Sequence, residues 1–157
     1  MQLVSGPWDL ARVTRWLEDA RIPVRLAVLA PRGPLVVSLW YHFDGEAMWC
    51  ATRRGADVVA HLRKDRRVGI EVAPDLPPYR GVRGTGRAEI ITERGPGMLD
   101  RLLDRYLDPV NAPLADTLRA NADDEVALRI SALSLSSWDF SGRMQSQETG
   151  PILPDLG

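Results

Sequence analysis

The first apolar positions of the chain recur at the spacing of an amphipathic helix. We predict this helix over 9–21, with Asp9 as its N-cap and Trp8 packed against Val13. Pro23 ends the pattern because proline cannot continue a helix. The positions that set the helical spacing are Leu10, Val13, Leu17 and Ala20.

From residue 24 the apolar pattern becomes that of β-strands. An Asp-Gly pair at 44–45 separates two of the runs, and this pair between two such runs predicts a hairpin. Three further segments return to helical spacing. The predicted strands are 24–30, 35–43, 46–52, 68–73, 79–92, 126–132 and 134–140, and the later predicted helices are 56–65, 97–107 and 113–122.

The predicted strand at 79–92 carries glycine twice on one of its faces. Arg83, Thr85 and Arg87 alternate onto the other face, which is therefore polar. Gly84 and Gly86 weaken a strand, and the usual reason for such glycines is a bulge or the close approach of another group to the backbone.

Consecutive strands joined by hairpin turns favour an antiparallel barrel or sandwich over an alternating parallel sheet. We therefore predict a mainly β protein with flanking helices, of the α+β class. A length of 157 residues suits one domain, which we place at 1–144. The N-terminal helix occupies 1–22 and the barrel and helices 24–144, while 145–157 is predicted to be a tail without periodicity.

The charge balance excludes broad electrostatic binding to nucleic acid. The chain has 20 basic and 21 acidic side chains, so it carries no excess of positive charge. The longest apolar runs are far below the ~20 residues of a membrane helix. The first residues lack the pattern of a secretion signal, so we expect a cytoplasmic protein that binds neither membrane nor nucleic acid.

Few residue types that carry enzyme chemistry are present. Two histidines and one cysteine exclude a metal site of several histidines or a CxxC pair, so any chemistry is expected from a bound cofactor. Nineteen of the 20 basic residues are arginine, and residues 53–67 hold six basic against two acidic side chains. Thr52, Arg53 and Arg54 stand where a strand leads into a helix, which is typical of a phosphate-sized anion site.

Three stretches, 24–72, 77–91 and 137–144, resemble the pyridoxamine 5'-phosphate oxidase-like, flavin-binding split-barrel superfamily. The superfamily includes FMN enzymes and relatives that use the 5-deazaflavin coenzyme F-420. The resemblance implies a six- to seven-stranded antiparallel split β-barrel of the FMN-binding type. It also implies a homodimer with the cofactor cleft at the subunit interface.

The same resemblance implies cofactor-binding residues. For the flavin phosphate these are Arg25, Thr52, Arg53 and Arg54, together with position 59, where Val59 replaces the usual basic residue. Gly81 is at the position where the oxidases have glutamine. Trp138 is expected to cover the flavin ring, and Arg83 or Arg87 is expected to supply charge to the substrate or the phosphate across the interface. The ring-binding backbone maps to Leu26, Ala27, Ser38, Leu39, Trp40, Cys50 and Ala51.

These residues imply a flavin (FMN)-binding oxidoreductase that transfers hydride to or from a small organic substrate. One alternative is a reductase dependent on the deazaflavin coenzyme F-420, and another is a non-catalytic flavin- or haem-binding module. The arginine-histidine element with which the oxidases bind pyridoxal phosphate is not recognisable after Arg143. The resemblance therefore does not imply pyridoxamine-phosphate oxidase activity.

Overall fold

The computed structural model describes residues 1–145, and within them the chain forms eight strands and five α-helices. Residues 146–157, most of the predicted tail, lie outside the described residues. The strands are β1 (Gln2–Ser5), β2 (Val24–Ala30), β3 (Gly33–Leu39), β4 (Tyr41–Phe43), β5 (Met48–Arg53), β6 (Arg67–Val72), β7 (Arg80–Ile91) and β8 (Glu125–Asp139). The helices are α1 (Leu10–Asp19), α2 (Asp57–Leu62), α3 (Gly95–Tyr106), α4 (Ala112–Arg119) and α5 (Ser141–Gln145).

Seven of these strands form an antiparallel sheet in the order β3-β2-β6-β7-β8-β5-β4, and β1 adds to β8 in parallel. The predicted class, a mainly antiparallel α+β split barrel, is confirmed. β1 was not predicted, because four residues before a helix show too little alternation. No helix within residues 1–145 is long and apolar enough to cross a membrane.

The strand predicted for 35–43 is two strands that separate at Trp40. β3 pairs with β2 at one edge of the sheet, and β4 pairs with β5 at the other. One bent segment therefore connects both edges and curls the sheet into a barrel. The sequence does not indicate this bend, because Trp40, Tyr41 and Phe43 all favour a strand and no glycine or proline interrupts them.

The two strands predicted for 126–132 and 134–140 are one strand, β8, with a bulge. Thr85 and Arg87 of β7, two residues apart, pair with Ser134 and Ser131, which are three apart. Ala132 absorbs the additional residue with a positive φ of 51°. A bulge interrupts the alternation of side chains, so it resembles a strand end in the sequence.

The barrel interior is the hydrophobic core, and α1 packs against it. Asp9 caps α1 by accepting a hydrogen bond from the Arg12 N–H at 2.7 Å, as predicted. Trp8 and Val13 are both buried in this core. Gly84 and Gly86 of β7 are explained by β8, since a Cβ at Gly84 would collide with the backbone carbonyl of Ser134 and one at Gly86 would lie 3.0 Å from that of Ser131.

The outer surface of the sheet is covered unevenly. α3 packs on β5 and on the first half of β8, with Leu99, Leu103 and Ala115 forming a small separate core. The outer face of β2, β6 and β7 carries no helix among the described residues. This difference produces two hollows of different kinds.

Candidate functional site

The bare part of the sheet forms a hollow of about 610 Å³ that we call the outer-face groove. Its volume is within the range of small-molecule sites. Its lining residues are Ser5, Arg25, Ala27, Val36, Gly69, Ile70, Glu71, Arg83, Gly84, Thr85, Ser136 and Ser137.

A row of polar side chains crosses the groove from strand to strand. Cross-strand partners share a face of a sheet, so the register places these side chains side by side. Glu71 of β6 pairs with Arg25 of β2 on one side and with Arg83 of β7 on the other. Arg25 also pairs with Ser38 of the edge strand β3. The groove therefore has two guanidinium groups that flank one carboxylate.

The two arginines differ in how they are held. Arg25 donates to the carbonyl of Ala73 at 2.9 Å and to the carboxylate of Asp75, whose side chain is exposed. Arg83 is exposed and forms no ion pair with any described residue. Arg83 is thus free to bind an anion, while Arg25 is already oriented by its neighbours.

The floor of the groove is low because its residues are small. Ala27 of β2 pairs with Gly69 of β6, which pairs with Thr85 of β7. A Cβ at Gly69 would lie 3.5 Å from the Cβ of Ala27, which is an ordinary contact. No packing therefore requires glycine there, and the missing side chain leaves room for a flat group against the backbone.

The second hollow lies where β3 and β5 diverge beneath α3 and α4, and we call it the helix-covered cleft. Its volume is about 300 Å³. Its lining residues are Pro23, Ser38, Leu39, Trp40, Ala51, Thr52, Arg53, Leu99, Leu102, Leu118 and Glu125. Apolar side chains form most of its walls.

Trp40 is a fixed wall of this cleft. Its ring stacks on Tyr106 of α3, with the centroids 5.3 Å apart and the planes 12° from parallel. The Tyr106 hydroxyl donates to the carbonyl of Ile22 at 3.2 Å and accepts from the Tyr41 N–H at 3.3 Å. The bend between β3 and β4 is therefore anchored to α3.

Two residues of opposite charge are neighbours in the lining of the cleft. Arg53 ends β5 and is the cross-strand partner of Glu125, which begins β8. Burial raises the pKa of the Glu125 carboxyl, and the Arg53 charge only partly opposes that effect. The two side chains form no ion pair within 4 Å in the described part of the chain.

The residues predicted for the cofactor are divided between the two hollows. Arg25, Ala27 and Arg83 line the groove. Those in the cleft are Ser38, Leu39, Trp40, Ala51, Thr52 and Arg53. The two hollows are neighbours, because Ser38 of the cleft is the cross-strand partner of Arg25. Arg87, on the same face of β7 as Arg83, lines neither hollow.

Three of the predicted residues are in the main core. Leu26, Cys50 and Val59 are each fully buried. Burial raises the pKa of the Cys50 thiol to about 12, so this cysteine is not a reactive thiolate. A basic side chain at position 59 would enter the core, which explains valine there.

Three others lie outside both hollows. Arg54 donates to the carbonyl of Asp123 at 3.2 Å. Gly81 is opposite Trp138 in the β7–β8 ladder, and a Cβ on it would approach the Val72 carbonyl to 2.6 Å. Glycine at 81 is therefore a packing requirement. The Trp138 ring packs on Phe140 at 5.5 Å, and its buried Nε1 has no hydrogen-bond partner among residues 1–145.

Sequence reasoning missed several residues that line these hollows. Glu71 and Gly69 are on the polar face of β6, which the alternation of 68–73 could have indicated. Glu125 was missed because only the register of β8 against β5 brings it to Arg53. The walls supplied by Leu99, Leu102 and Leu118 depend on how α3 and α4 pack, which no local pattern indicates.

No family model matches the sequence, and no curated protein matches it either. Solved structures are similar to the chain in fold. A conserved hypothetical protein of Mycobacterium tuberculosis is 24% identical with a TM-score of 0.68, and the match covers 100% of this chain and 98% of that one.

Two further structures describe the kind of fold. One, described as an F-420 reductase, is 22% identical with a TM-score of 0.62, covering 76% of this chain and 93% of its own. The other, from Clostridium acetobutylicum, is related to general stress protein 26 in the pyridoxinephosphate oxidase family. It is 18% identical with a TM-score of 0.62, covering 84% of this chain and 89% of its own. The chain therefore has the pyridoxamine 5'-phosphate oxidase-like split-barrel fold.

Proposed function

We propose that this protein is an oxidoreductase that binds FMN in the outer-face groove and transfers hydride to or from a small organic substrate. The observation that carries the proposal is the combination of a low backbone floor with two arginines at one end. The floor, around Ala27 and Gly69, suits a flat aromatic ring. Arg25 and Arg83 suit the phosphate, because guanidinium groups bind it in a bidentate manner.

The residues of the groove have separate roles in this proposal. Arg83 binds the anion, and Arg25 orients it while itself held by the Ala73 carbonyl. The ring rests on the β2 and β6 backbone, with Val36 as an apolar wall. When bound, the flavin supplies the hydride chemistry, which these side chains lack. The chain's contribution is to hold and orient the ring and to exclude water from one of its faces.

The anion is assigned to the groove rather than to the strand end at Thr52–Arg53 because the two guanidinium groups in the groove lining outnumber its one carboxylate, that of Glu71, whereas the lining of the cleft has one guanidinium and one carboxylate. Glu125 faces Arg53 across the ladder and would repel a phosphate there. Asp57 adds a second negative charge in the first turn of α2. Val59, in the core, cannot supply the basic group common at that position.

A second copy of the chain is the proposed cover of the groove. Val36 and Leu29 are 60% and 47% exposed, respectively, on this face. Exposed apolar side chains beside a shallow open groove are typical of a surface that a partner completes. We expect a homodimer, to be measured by light scattering coupled to size-exclusion chromatography.

The deazaflavin coenzyme F-420 is the second candidate, and the length of the bare face favours it. The groove continues over Ala27, Gly69 and Thr85 into a further hollow of about 420 Å³ that ends at Arg67. A cofactor with a long acidic tail would use this extension, whereas FMN would not. The similar structure described as an F-420 reductase supports the same candidate.

Titration of the purified protein with FMN and with coenzyme F-420, followed by fluorescence, tests the site. Arg83→Met should weaken binding by about tenfold or more, since a charge-assisted hydrogen bond contributes ~1.5–3 kcal/mol. For FMN, Arg87→Met is the matched control, because Arg87 is on the same face of β7 but outside the groove. Equal loss in both variants, or no binding of either cofactor by the unaltered protein, would reject the proposal.

Binding without turnover would favour the non-catalytic module. To test turnover, quinones, nitroaromatics and enones are added in turn to the protein with reduced cofactor bound. Reoxidation of the bound, reduced cofactor by at least one of them is expected for an oxidoreductase.

A further inference from the structure

Another hollow, of about 400 Å³, lies between the beginning of α3 and the β4 edge of the sheet, and we call it the Trp49 hollow. It shares no lining residue with the outer-face groove or with the helix-covered cleft. It is therefore separate from the residues predicted for the cofactor. Its lining residues are His42, Asp44, Trp49, Glu93, Arg94, Gly97, Met98 and Arg101.

The Trp49 indole is a fixed part of this hollow and holds one arginine in place. Its Nε1 donates to the carboxylate of Asp44 at 2.7 Å. The Arg94 guanidinium lies over the indole ring, 5.3 Å from the ring centroid. The face of an aromatic ring attracts a cation but carries no net charge. Arg94 is therefore oriented by Trp49 without being neutralised.

A second arginine is oriented by a neutral histidine. The Arg101 Nη1 is 3.1 Å from the Nε2 of His42. A guanidinium can only donate, so this Nε2 accepts and the proton of the neutral imidazole is on Nδ1. Burial and then the Arg101 charge lower the pKa of His42, so the ring is neutral at neutral pH. Arg101 thus also keeps its full charge.

These two arginines contrast with Arg119 of α4, the helix that follows α3. Neither Arg94 nor Arg101 forms an ion pair with any described residue. Arg119, by comparison, lies within 4 Å of three carboxylates, those of Asp100, Asp104 and Asp116. Guanidinium groups that are oriented but not neutralised are suited to bind carboxylates and phosphates.

The two arginines are at opposite ends of the hollow. Arg94 directly precedes α3 and Arg101 lies seven residues further along the chain, which separates them by about 10 Å along the helix axis. Between them, a Cβ on Gly97 would lie in open space, and Met98 provides apolar surface. The hollow therefore matches a molecule with an anionic group at each end.

We propose that the Trp49 hollow binds a small organic dianion, with one anionic group at Arg101 beside His42 and the other at Arg94. This site does not depend on the proposed cofactor groove.

The two carboxylates of the lining differ in how strongly they oppose such a ligand. Asp44 accepts hydrogen bonds from the Trp49 indole and from the N–H groups of Glu46 and Ala47, which partly balance its charge. Glu93 forms no ion pair with any residue in 1–145. Glu93 is therefore the group whose removal should favour the dianion.

Three aromatic acids test the arrangement of the two charges. Terephthalate has carboxylates at opposite ends of its ring, phthalate has the same two carboxylates side by side, and benzoate has only one. Each is titrated into the isotope-labelled full chain and followed by amide chemical shifts. We expect terephthalate to bind about tenfold more tightly than either of the others, the range of one charge-assisted hydrogen bond. The shifted amides should be in 42–49 and in 93–101.

The imidazole of His42 gives a second readout. Arg101 and Arg105 of α3 and Asp44 of the β4–β5 turn are the charged groups that act on it. A bound carboxylate favours the protonated ring, so terephthalate should raise the pH at which His42 takes up its proton. His61 of α2, the other histidine of the chain, lines no part of the hollow and is the internal reference.

Substitutions at neighbouring positions should act in opposite directions. Arg94→Gln and Arg101→Gln should each weaken terephthalate binding about tenfold, to the level of benzoate. Glu93→Gln should strengthen it by up to about fivefold, since exposed charges interact weakly. Opposite changes cannot come from a general loss of folding. Arg119→Gln is the matched control, because it removes the same charge from a guanidinium that carboxylates already neutralise.

Four outcomes would overturn the proposal. Terephthalate fails to bind at millimolar concentration, or it binds no more tightly than phthalate and benzoate. Arg119→Gln weakens binding as much as Arg101→Gln does. The shifted amides surround Ala27 and Gly69 instead, which would assign the dianion to the outer-face groove. Finally, the titration of His42 is the same with and without terephthalate.

Discussion

The outer-face groove and the helix-covered cleft are on the same face of one sheet, yet they differ in volume, charge and cover. The groove is bare, and its floor is formed by the small side chains of β2 and β6. The cleft is closed by α3 and α4, and its walls belong to a hydrophobic core. One sheet therefore has two kinds of hollow on the same face. The positions of α3 and α4 determine that the cleft is covered and the groove is bare.

The two ends of β8 also differ electrostatically. At the C-terminal end, hydrogen bonds to Asp139, first of all from Ser141 and then from the Trp8 indole, lower the pKa of its carboxyl to about 2. At the cleft, burial raises the pKa of Glu125. The fold thus stabilises the charged form of the Asp139 carboxyl and destabilises the charged form of the Glu125 carboxyl.

Truncating one apolar wall in each region should give the largest contrast in stability. Leu102 is 1% exposed and Val36 is 60% exposed. Leu102→Ala should lower the free energy of unfolding by about 2–5 kcal/mol, through lost contacts and a cavity. Val36→Ala should change it by less than about 0.5 kcal/mol. Urea unfolding measures both, and similar losses would show that the groove wall is also core.

Adding one methyl group to two neighbouring glycines should separate packing from ligand space. Gly84→Ala should cost about 1–3 kcal/mol, because its Cβ would meet the Ser134 carbonyl and lie 2.9 Å from the Leu135 Cα. Gly69→Ala should leave stability unchanged or slightly higher, since alanine loses less backbone entropy.

The same Gly69→Ala substitution raises the floor of the groove, so it should weaken cofactor binding without loss of fold. Thermal unfolding and fluorescence titration of one preparation distinguish the two effects. Unimpaired binding by Gly69→Ala would place the flat group of the cofactor away from β6.

Lowering the pH should remove a stabilising contribution from Asp139. Its pKa is below the ordinary value of 3.8 in the folded state, so its contribution is present above about pH 4. The contribution is lost as the pH falls towards about 2, where the folded-state carboxyl takes up its proton. Asp139→Asn should therefore be less stable than the unaltered protein at neutral pH, and the difference should shrink through this range.

Glu125 should give the smaller effect, with the opposite sign. Its pKa is raised in the folded state, so the charged carboxylate costs stability above that pKa, and protonation relieves the cost. Glu125→Gln should be slightly more stable at neutral pH, with the advantage vanishing below the ordinary pKa of 4.5. The denaturant midpoints of both proteins, measured across this pH range, give the difference in stability. If Glu125→Gln is less stable at neutral pH, the attraction between Arg53 and the carboxylate is larger than the cost of its burial.

Much of the fold was predictable because local signals agreed with it. The Asp9 cap, the hairpin after β4 and the polar face of β7 were all read from short-range patterns. The hairpin loop is longer than its Asp-Gly pair suggests, since Asp44 accepts hydrogen bonds from the N–H groups of both Glu46 and Ala47. Such a turn delays the start of β5 to residue 48.

The candidate site was predictable only in part. Residues of one strand keep their faces whatever the partner strand, so the outward position of Arg83 followed from alternation. Which residues of different strands meet depends on register and on the bend at Trp40. Arg25 and Thr52 were expected at one phosphate, and the fold places them in different hollows.

The sequence by itself determined the elements, their faces and the antiparallel class, because periodicity, caps and turn residues act over a few positions. The tertiary structure alone decided that β3 and β4 belong to opposite edges of the sheet. It also decided that β8 is one bulged strand, and that α3 and α4 cover one half of the outer face. These outcomes depend on contacts between residues far apart in the chain. The free energy of such contacts is not visible in the periodicity of any one segment, so no local pattern indicates them.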